Sequence, residues 1–396
     1  MLRHIFKLFW NQRNVYGGMY AEQMVVFIVL LFCFLLVGEK SRQYFTVGML
    51  NTENIYECSY YTLPEGSSLS IKELDEKMKV VYEKVRHDPS VVTSGRSVVL
   101  TPYIRPEEIN PWDSVQIDDK KVKVRVKAGD QDVFNVFEPQ LDEGEWLTDS
   151  RLEDGTYPAV ITRQLKEQMG WKQGVGKKIY SRGFTFSVVG VISGIKEEPL
   201  KPSPPTLIFP VDIDFNLWWG GYGDEKDYLF RIREGNVDDF RDLINREFYK
   251  LMGNDNVELA ITDIESGKLG QMQDEFLTLT GVVIPSVFLF VFAFIGTFGL
   301  FWLYLSKRKK EFALRIVVGS TPAGLKRFVI LEGVLLTALA WIPGLIIFFG
   351  VYPINKINLI ALGAACVVMI VFSVFSSWYP AYQVAEVNPV EAMREE

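Results

Sequence analysis

The sequence predicts a membrane protein with four transmembrane α-helices and a large extracytoplasmic α+β domain inserted between helices 1 and 2. Three features predict this class. Four apolar stretches approach or exceed the roughly 20 residues that a helix needs to cross a bilayer core. Residues 39–275 contain no long apolar run, which is typical of a water-soluble domain. A strongly basic stretch, 306–327, separates two of the apolar stretches.

The basic stretch sets the orientation of the predicted helices. It contains a single acid, Glu311, among many cations: Lys307, Arg308, Lys309, Lys310, Arg315, Lys326 and Arg327. Short loops with an excess of Lys and Arg stay on the cytoplasmic side of a membrane. We therefore expect residues 306–327 in the cytoplasm and residues 39–275 on the opposite side.

A short amphipathic helix is predicted within this loop. Glu311 precedes Arg315 by four residues, which is the favourable order for a helical ion pair. Gly319 can supply a left-handed stop, and Thr321 with Pro322 can start the next helix. Apolar residues recur on another face of the helix: Phe312, Ala313, Ile316 and Val317. The alternative is that the charges only set the topology.

The first residues predict a cytoplasmic interfacial helix, 1–16, and then a first membrane span, 17–38. Apolar residues recur at helical spacing among basic ones: Leu2, Ile5, Phe6, Phe9 and Trp10. A plain basic flank would explain the same residues. The apolar run 24–37 could also belong to a cleavable signal peptide. It ends in Gly38 and Glu39 without a small-residue cleavage pattern, so an uncleaved span is favoured.

One structural unit recurs within residues 39–275. Its first copy has a helix opened by a capping box of Ser70 and Glu73, between strands at 55–61 and 91–100. Its second copy has strands at 228–233 and 257–261 around a helix at 237–251. Residues 103–225 have shorter strand patterns, including the strict alternation of 121–127. We expect a split βαβ-repeat domain of ferredoxin-like type with an inserted β-rich subdomain at about 103–225.

The rest of the chain predicts three more spans: 276–305, 328–351 and 358–379. Glu332 lies near the cytoplasmic end of the third span. An acid costs about 2.5–3.5 kcal/mol at the centre of a membrane helix and less near an edge, so it usually has a partner. Lys326 or Arg327 is close enough in sequence for a local ion pair, and a role in coupling is the alternative. Pro380 is expected to end the fourth span.

The predicted cytoplasmic tail, 380–396, contains a second helix start. Asn388 can act as N-cap, Pro389 as a first-turn residue and Glu391 as a third-position acid. Four spans place both termini in the cytoplasm.

Composition and motifs exclude several function classes. The formal net charge is -7, and the cations concentrate at membrane edges, which argues against nucleic-acid binding. Cys33, Cys58 and Cys366 have no metal-ligand spacing and predict no disulfide. The stretch 170–178, GWKQGVGKK, lacks the first glycine and the Ser or Thr of a phosphate-binding loop. We expect no enzyme activity, no metal and no bound cofactor, so any energy must come from another polypeptide.

Two segments resemble the permease subunits of ABC systems of the FtsX and MacB type. The first segment runs from the basic loop into the third span: Lys309, Lys310, Glu311, Phe312, Ala313, Leu314, Arg315, Gly319, Ser320 and Glu332. The second is in the tail: Pro380, Ala381, Ala385, Asn388, Pro389, Glu391, Ala392 and Arg394. Parts of 158–191 are also similar to the extracytoplasmic core domain of that family.

The resemblance implies a bacterial inner-membrane permease that works with a second permease, either a copy or a paralogue. Two cytoplasmic ABC ATPases would dock on the loop helix, and they would be separate chains because the fused ATPase of the macrolide-exporter branch is missing here. ATP would then be used by that partner. The family's docking motif falls on Lys309, Lys310, Glu311, Arg315, Gly319 and Ser320.

The expected function is mechanotransmission, in which ATP hydrolysis moves the external domain to export a substrate. The other expected partners are membrane lipid and a periplasmic or outer-membrane protein. Two alternatives keep the same topology. In one, the chain activates an external partner such as a cell-wall hydrolase, and nothing is transported. In the other, it is an anchored binding module without an ATPase.

Overall fold

The computed structural model describes residues 9–63, 66–67, 69–103, 112–117, 120–213, 226–253 and 255–385. The helices of this part of the chain, numbered in order, are α1 (Arg13–Phe45), α2 (Ile71–Val85), α3 (Val133–Phe137), α4 (Arg163–Gln168), α5 (Val237–Met252), α6 (Ile264–Lys307), α7 (Lys309–Val317), α8 (Pro322–Val351) and α9 (Lys356–Ala385).

The strands are β1 (Ile55–Thr62), β2 (Val91–Val98), β3 (Trp112–Ile117), β4 (Lys120–Gly129), β5 (Leu141–Gly144), β6 (Tyr157–Thr162), β7 (Lys178–Ser181), β8 (Phe184–Ile192), β9 (Thr206–Pro210), β10 (Asp227–Ile232) and β11 (Val257–Asp263). The chain forms two units. The membrane unit comprises Met1–Arg42 and Phe276–Glu396, and the large domain comprises Gln43–Glu275.

Four helices are long and apolar enough to cross a membrane, as the fold class predicted. Their candidate spans are Val15–Phe45, Ile264–Lys307, Pro322–Val351 and Lys356–Gln383. The prediction that Pro380 ends the fourth helix is wrong, because α9 continues to Ala385. Proline removes one helical hydrogen bond. Prolines are tolerated within membrane helices, because neighbouring helices and Ser or Thr side chains can satisfy the freed backbone groups.

The membrane unit is packed around two apolar clusters. One surrounds the basic loop and includes Tyr16, Tyr304, Phe312 and Phe328. The other lies farther along the helices and includes Phe27. In the most apolar stretch of α6 only 11% of the residues are buried, against 39% in α1, 28% in α8 and 39% in α9. Within the described residues, α6 is therefore the membrane helix with the smallest share of buried residues.

The large domain contains the predicted ferredoxin-like unit. Its strands follow the order β11-β1-β10-β2, and each neighbouring pair is antiparallel. Helices α2 and α5 contribute Met78, Tyr82, Phe240 and Phe248 to a core shared with β1 and β10. The predicted capping box is present, since the Ser70 hydroxyl accepts from the backbone N–H of Glu73. The repeat of strand, helix and strand was therefore predicted correctly.

The inserted β-rich subdomain is a closed sheet. Its strands pair in the order β4-β3-β7-β8-β6-β9, and a parallel pairing of β9 with β4 closes the ring. We call this ring the barrel. Its interior is filled by aliphatic and aromatic side chains, among them Val124, Ile179, Phe186 and Leu207. A short antiparallel pairing, Ser97 with Gly129 and Val98 with Ala128, joins β2 to β4 and so links the barrel to the ferredoxin-like unit.

Strand β4 departs from its sequence pattern. Strict alternation places the cations of this strand on one face, and Lys121 and Lys123 are exposed there. Arg125 and Lys127 are buried. Both lie within 3.2 Å of carboxylate oxygens of Glu197, which supplies the opposite charge that burial requires.

Candidate functional site

The basic loop folds as a short helix joined to α6 through one residue. Helix α6 ends at Lys307, α7 begins at Lys309, and Arg308 lies between them. The Arg308 side chain is only 6% exposed. Its guanidinium lies 5.1 Å from the ring centroid of Tyr304 and 5.0 Å from that of Phe312. The joint between the two helices is therefore built around a buried cation that contacts aromatic faces.

Glu332 of α8 is the buried counter-charge of Arg308. Its carboxylate is fully buried, and Arg308 Nη1 lies 3.3 Å from Oε1 and 3.4 Å from Oε2. The Tyr16 hydroxyl of α1 donates to the same carboxylate. One acid thus connects α1, α8 and the joint between α6 and α7.

The predicted partners of Glu332 were wrong. Lys326 and Arg327 precede Glu332 by six and five residues, and at 3.6 residues per turn neither spacing places them on its face of the helix. Lys326 Nζ instead lies 4.0 Å from the ring centroid of Tyr382. The actual partners are distant in sequence, so the local pattern gave no signal for them.

Glu311 connects Arg308 to the remainder of α7. Arg308 donates to both of its carboxylate oxygens at 2.7 and 3.0 Å, and Arg315 donates to Oε1 at 2.6 Å. The predicted pair of Glu311 and Arg315 is present. Burial raises the pKa of the Glu311 carboxyl, but the two guanidinium groups outweigh burial and lower this pKa below its usual value. Glu311 is therefore held as the carboxylate between two arginines.

Helix α7 has two different faces. Phe312 and Ala313 are buried against the membrane unit. An exposed stripe runs along the other face and comprises Lys310, Leu314, Val317 and Val318. Val317, which the sequence groups with Phe312 and Ala313 on the apolar face, is 59% exposed. Lys309 is exposed beside the stripe. The helix thus combines a face fixed by ions and aromatic rings with an exposed basic and apolar face.

The turn after α7 has the predicted geometry. Gly319 has a φ of +101°, which favours glycine, and no atom would contact a Cβ added there. The N–H of Gly319 donates to Ile316 O at 2.9 Å, and that of Ser320 donates to Arg315 O at 2.8 Å. This is the Schellman pattern of a helix C-terminus. Thr321 then caps α8 by accepting from Gly324 N at 3.2 Å.

Other predicted residues are not assembled with this site in the described part of the chain. Pro380 lies inside α9. Residues 1–8 of the predicted interfacial helix lie outside the described residues, as do four residues of the tail motif: Asn388, Pro389, Glu391 and Arg394.

The sequence reasoning missed two residues of the site. Tyr16 gave no signal, because an aromatic residue near a membrane edge is ordinary. Arg308 could have been noticed, because it precedes Glu311 by three residues, a spacing at which helical side chains meet. Nearer the membrane interior, Thr337 donates to Gln23 at 2.9 Å and Thr297 to Glu22 at 3.1 Å. These contacts hold α1 to α8 and to α6.

Two family models match this architecture. The model of the MacB-like periplasmic core domain matches residues 24–239, which is more than half of the chain. The model of the FtsX-like permease C-terminal region matches residues 283–389, which include Arg308, Glu311, Arg315 and Glu332. The chain belongs to the MacB- and FtsX-like family of ABC permeases. In this MacB/FtsX-like permease, the first match covers most of the large domain, and the second covers the C-terminal part of α6 and all of α7, α8 and α9.

Two solved structures are similar to parts of this MacB/FtsX-like permease. The extracellular domain of the noncanonic ABC-type transporter YknZ from Gram-positive bacteria is 13% identical, covering 52% of this chain and 100% of that one, with a TM-score of 0.38. The periplasmic region of MacB from Actinobacillus actinomycetemcomitans is 12% identical, covering 55% and 92%, with a TM-score of 0.39. None of the curated proteins matches the chain.

Proposed function

We propose that this chain is the permease subunit of an ABC transporter that uses a separate cytoplasmic ATPase to move its large domain and export a substrate. The observation that carries the proposal is the two-faced helix α7. Its buried face packs into an apolar cluster of the membrane unit, while its exposed stripe of Lys310, Leu314, Val317 and Val318 is open to contact by another protein.

The stripe has the chemistry of a docking surface. Leu314, Val317 and Val318 are 57%, 59% and 80% exposed, and they lie at adjacent positions on a helix. Lys309 and Lys310 beside them supply positive charge. A partner surface with an apolar groove and acidic groups would complement this face, since buried apolar anchors with a charged rim are typical of specific interfaces.

The ionic site would carry a displacement of α7 into the membrane unit. Arg308 joins the ends of α6 and α7, and its guanidinium is bonded to Glu332 of α8. Tyr16 extends the connection to α1. Because a buried ion pair cannot separate without a large cost, the three helices would follow α7 rather than lose contact with it.

In this proposal the basic loop and both termini are cytoplasmic, and the large domain is on the other side of a bacterial inner membrane. ATP is consumed by the partner subunit, and a second permease completes the complex. We propose neither a bound cofactor nor an enzyme activity for this chain.

The test is capture of an ATPase by the tagged full-length chain in detergent. The double change of Lys310→Glu with Leu314→Asp should abolish capture while the chain stays folded, because both side chains are exposed. Lys356→Glu is the matched control, since this exposed lysine lies at the opposite end of α8 and α9. Equal capture by both variants, or no ATPase with the natural chain, would overturn the proposal.

A second experiment separates transport from signalling. Vesicles that contain the captured complex should accumulate or release a transported compound only when ATP is hydrolysed. If hydrolysis instead activates an external enzyme and no compound moves, the chain is a signalling subunit and the transport part of the proposal fails.

A further inference from the structure

The barrel has an exposed face on which polar side chains of three strands lie side by side. Gln116 of β3 lies opposite Lys121 of β4 on one side and opposite Tyr180 of β7 on the other. Two residues earlier on β3, Ser114 lies opposite Lys123. Alternate residues of a strand point to the same side of a sheet. These five side chains are exposed, whereas the apolar residues that alternate with them fill the barrel interior.

A cleft opens on this face and extends to the turn between β7 and β8. Its volume is about 310 Å³, and its lining includes Gln116, Lys121, Tyr180, Ser181 and Thr185. The cleft thus brings together an amide, an ammonium group and three hydroxyl groups, one of them on an aromatic ring. Such a set can donate and accept hydrogen bonds toward a polar ligand.

The Ser181 hydroxyl has an unused capacity to form hydrogen bonds. This residue is only 6% exposed, and its Oγ has no hydrogen-bond partner within the part of the chain that the structure describes. A buried hydroxyl without a partner costs free energy, so such groups are uncommon in proteins. Because Ser181 lines the cleft, a hydroxyl group of a bound molecule could supply this partner.

The charge of this face is positive. Neither Lys121 nor Lys123 takes part in an ion pair among the described residues, whereas the two buried cations farther along β4 share Glu197. Arg182, at the turn, lies 3.1 Å from Asp113 and so already has a counter-charge. The two lysines therefore offer the cleft and the surface beside it to an anionic group.

Two aromatic rings lie on the same face. Tyr180, beside Gln116, is 48% exposed, and Trp112 at the start of β3 is 40% exposed. Trp112 precedes Gln116 by four residues, which is about 13 Å along a strand. Aromatic rings can pack against the C–H faces of sugar rings, while neighbouring hydroxyl and amide groups bond to sugar hydroxyls. The face combines these features with two cations.

We propose that the exposed face of β3, β4 and β7 binds an acidic oligosaccharide. A sugar ring would pack against Tyr180, sugar hydroxyls would bond to Gln116 and Ser181, and an acidic group of the sugar would pair with Lys121. An acidic peptide would also be attracted by the lysines, but it has no ring of hydroxyl groups to match the amide and hydroxyls. This site goes beyond the proposed function, since binding needs neither an ATPase nor nucleotide.

Calorimetric titration of the full-length chain in micelles with an oligomer of galacturonic acid tests the site. Lys121→Gln and Tyr180→Ala should each weaken binding at least about tenfold, because they remove a charged hydrogen-bond donor and the ring surface. Lys72→Gln and Tyr249→Ala are the matched controls on helices of the ferredoxin-like unit, and Tyr249 is 48% exposed, as Tyr180 is. Equal affinities of all four variants, or no binding by the natural chain, would overturn the proposal.

Two further probes test the chemical class of the ligand. A neutral oligomer of glucose should bind at least about tenfold more weakly, because it has no acidic group for the lysines. Polyglutamate should also bind more weakly, because it has no sugar ring. If the neutral sugar binds as tightly as the acidic one, the lysines have no role and the proposal fails. If polyglutamate does, the face recognises an acidic peptide and the proposal also fails.

A measurement on the natural chain avoids variants altogether. Hydroxyl radicals oxidise exposed aromatic side chains, so a bound acidic oligosaccharide should slow the oxidation of Tyr180 and Trp112 and leave that of Tyr249 unchanged. Oxidation of Tyr180 at the same rate with and without a saturating amount of the oligomer would overturn the proposal. Since no ATPase is present in these experiments, their failure would leave the proposed function standing, and loss of ATPase capture would leave this site standing.

Discussion

Arg308 and Glu332 form an ion pair at 3.3 Å between two side chains that are 6% and 0% exposed. They lie 24 residues apart in sequence and join the α6–α7 joint to α8. A buried ion pair stabilises a folded protein little more than a well-packed apolar pair would. Loss of one partner is costly, because it removes the counter-charge of the other. The pair therefore fixes the geometry of the site, and its removal should be costly.

We expect Glu332→Leu to lower the free energy of unfolding of the full-length chain by about 3 kcal/mol, because Arg308 loses its buried counter-charge and keeps only Glu311, whose side chain is 37% exposed, as an acidic partner. The double variant Arg308→Met with Glu332→Leu should recover most of this loss. Denaturation in micelles gives the two values. Glu39→Gln, in the exposed pair with Arg42 at 2.5 Å, is the control and should cost at most about 1 kcal/mol. Equal losses for Glu332→Leu and the control would contradict this.

Gly319→Ala should loosen the turn between α7 and α8. An alanine has space there, so its cost is only that of a left-handed backbone, about 1 kcal/mol. Amides of residues 319 and 320 should then exchange about fivefold faster. Gly270→Ala is the control, because this helical glycine also has open space around it. Its amides should be equally or better protected. Faster exchange in both variants would argue against the role of the turn.

Gly344→Ala should destabilise the contact between α8 and α1. A Cβ at this position would lie 2.6 Å from a ring carbon of Phe27, which is fully buried and cannot move aside. We expect a loss of about 1–3 kcal/mol, which is the usual cost of overpacking. Gly350→Ala in the same helix has open space and should be neutral or stabilising. Thermal unfolding in micelles compares the two, and the prediction fails if they melt together.

The stability of the large domain should depend on pH through Asp130. Burial raises the pKa of this carboxyl to about 6, although Arg96 donates to it from its backbone N–H at 2.9 Å. An acid whose pKa is higher in the folded protein takes up its proton there first. Its contribution to stability is therefore present at pH 4 and is lost as the pH rises through about 6.

We expect the free energy of unfolding of the large domain to gain up to about 3 kcal/mol from Asp130 between pH 7 and pH 4. Asp130→Asn should remove this gain. The measurement is exchange of the most protected amides of β4 and β8, corrected for the intrinsic pH dependence of exchange. Asp142→Asn, at a surface pair with Arg163, should leave the gain in place. A gain that persists in the Asp130 variant would show that another group titrates.

Much of the fold could be predicted because its signals are local. A membrane helix is a long apolar run, and the ferredoxin-like repeat follows from strand and helix periodicities. The turn at Gly319 and the cap at Thr321 depend on residues a few positions apart. The pair of Glu311 and Arg315 was visible for the same reason, since one helical turn separates the two side chains.

The features that the sequence did not predict depend on contacts between residues far apart in the chain. The bond of Tyr16 to Glu332 spans 316 residues of sequence, and no periodicity encodes it. The burial of Arg125 and Lys127 requires Glu197 from a loop about 70 residues later. Closure of the barrel by β4 and β9 is equally remote. Pro380 was misjudged because a proline that ends a helix in water is tolerated within a membrane helix.

The sparse coverage of α6 has a consequence for the surrounding bilayer. In the most apolar stretch of this helix only 11% of the residues are buried, so most of its side chains contact whatever surrounds the chain. Its tilt is then set less by neighbouring helices than by hydrocarbon thickness, to which poorly packed spans adapt by leaning. Reconstitution in lipids of shorter or longer acyl chains should therefore displace α6 before it displaces α1, α8 or α9.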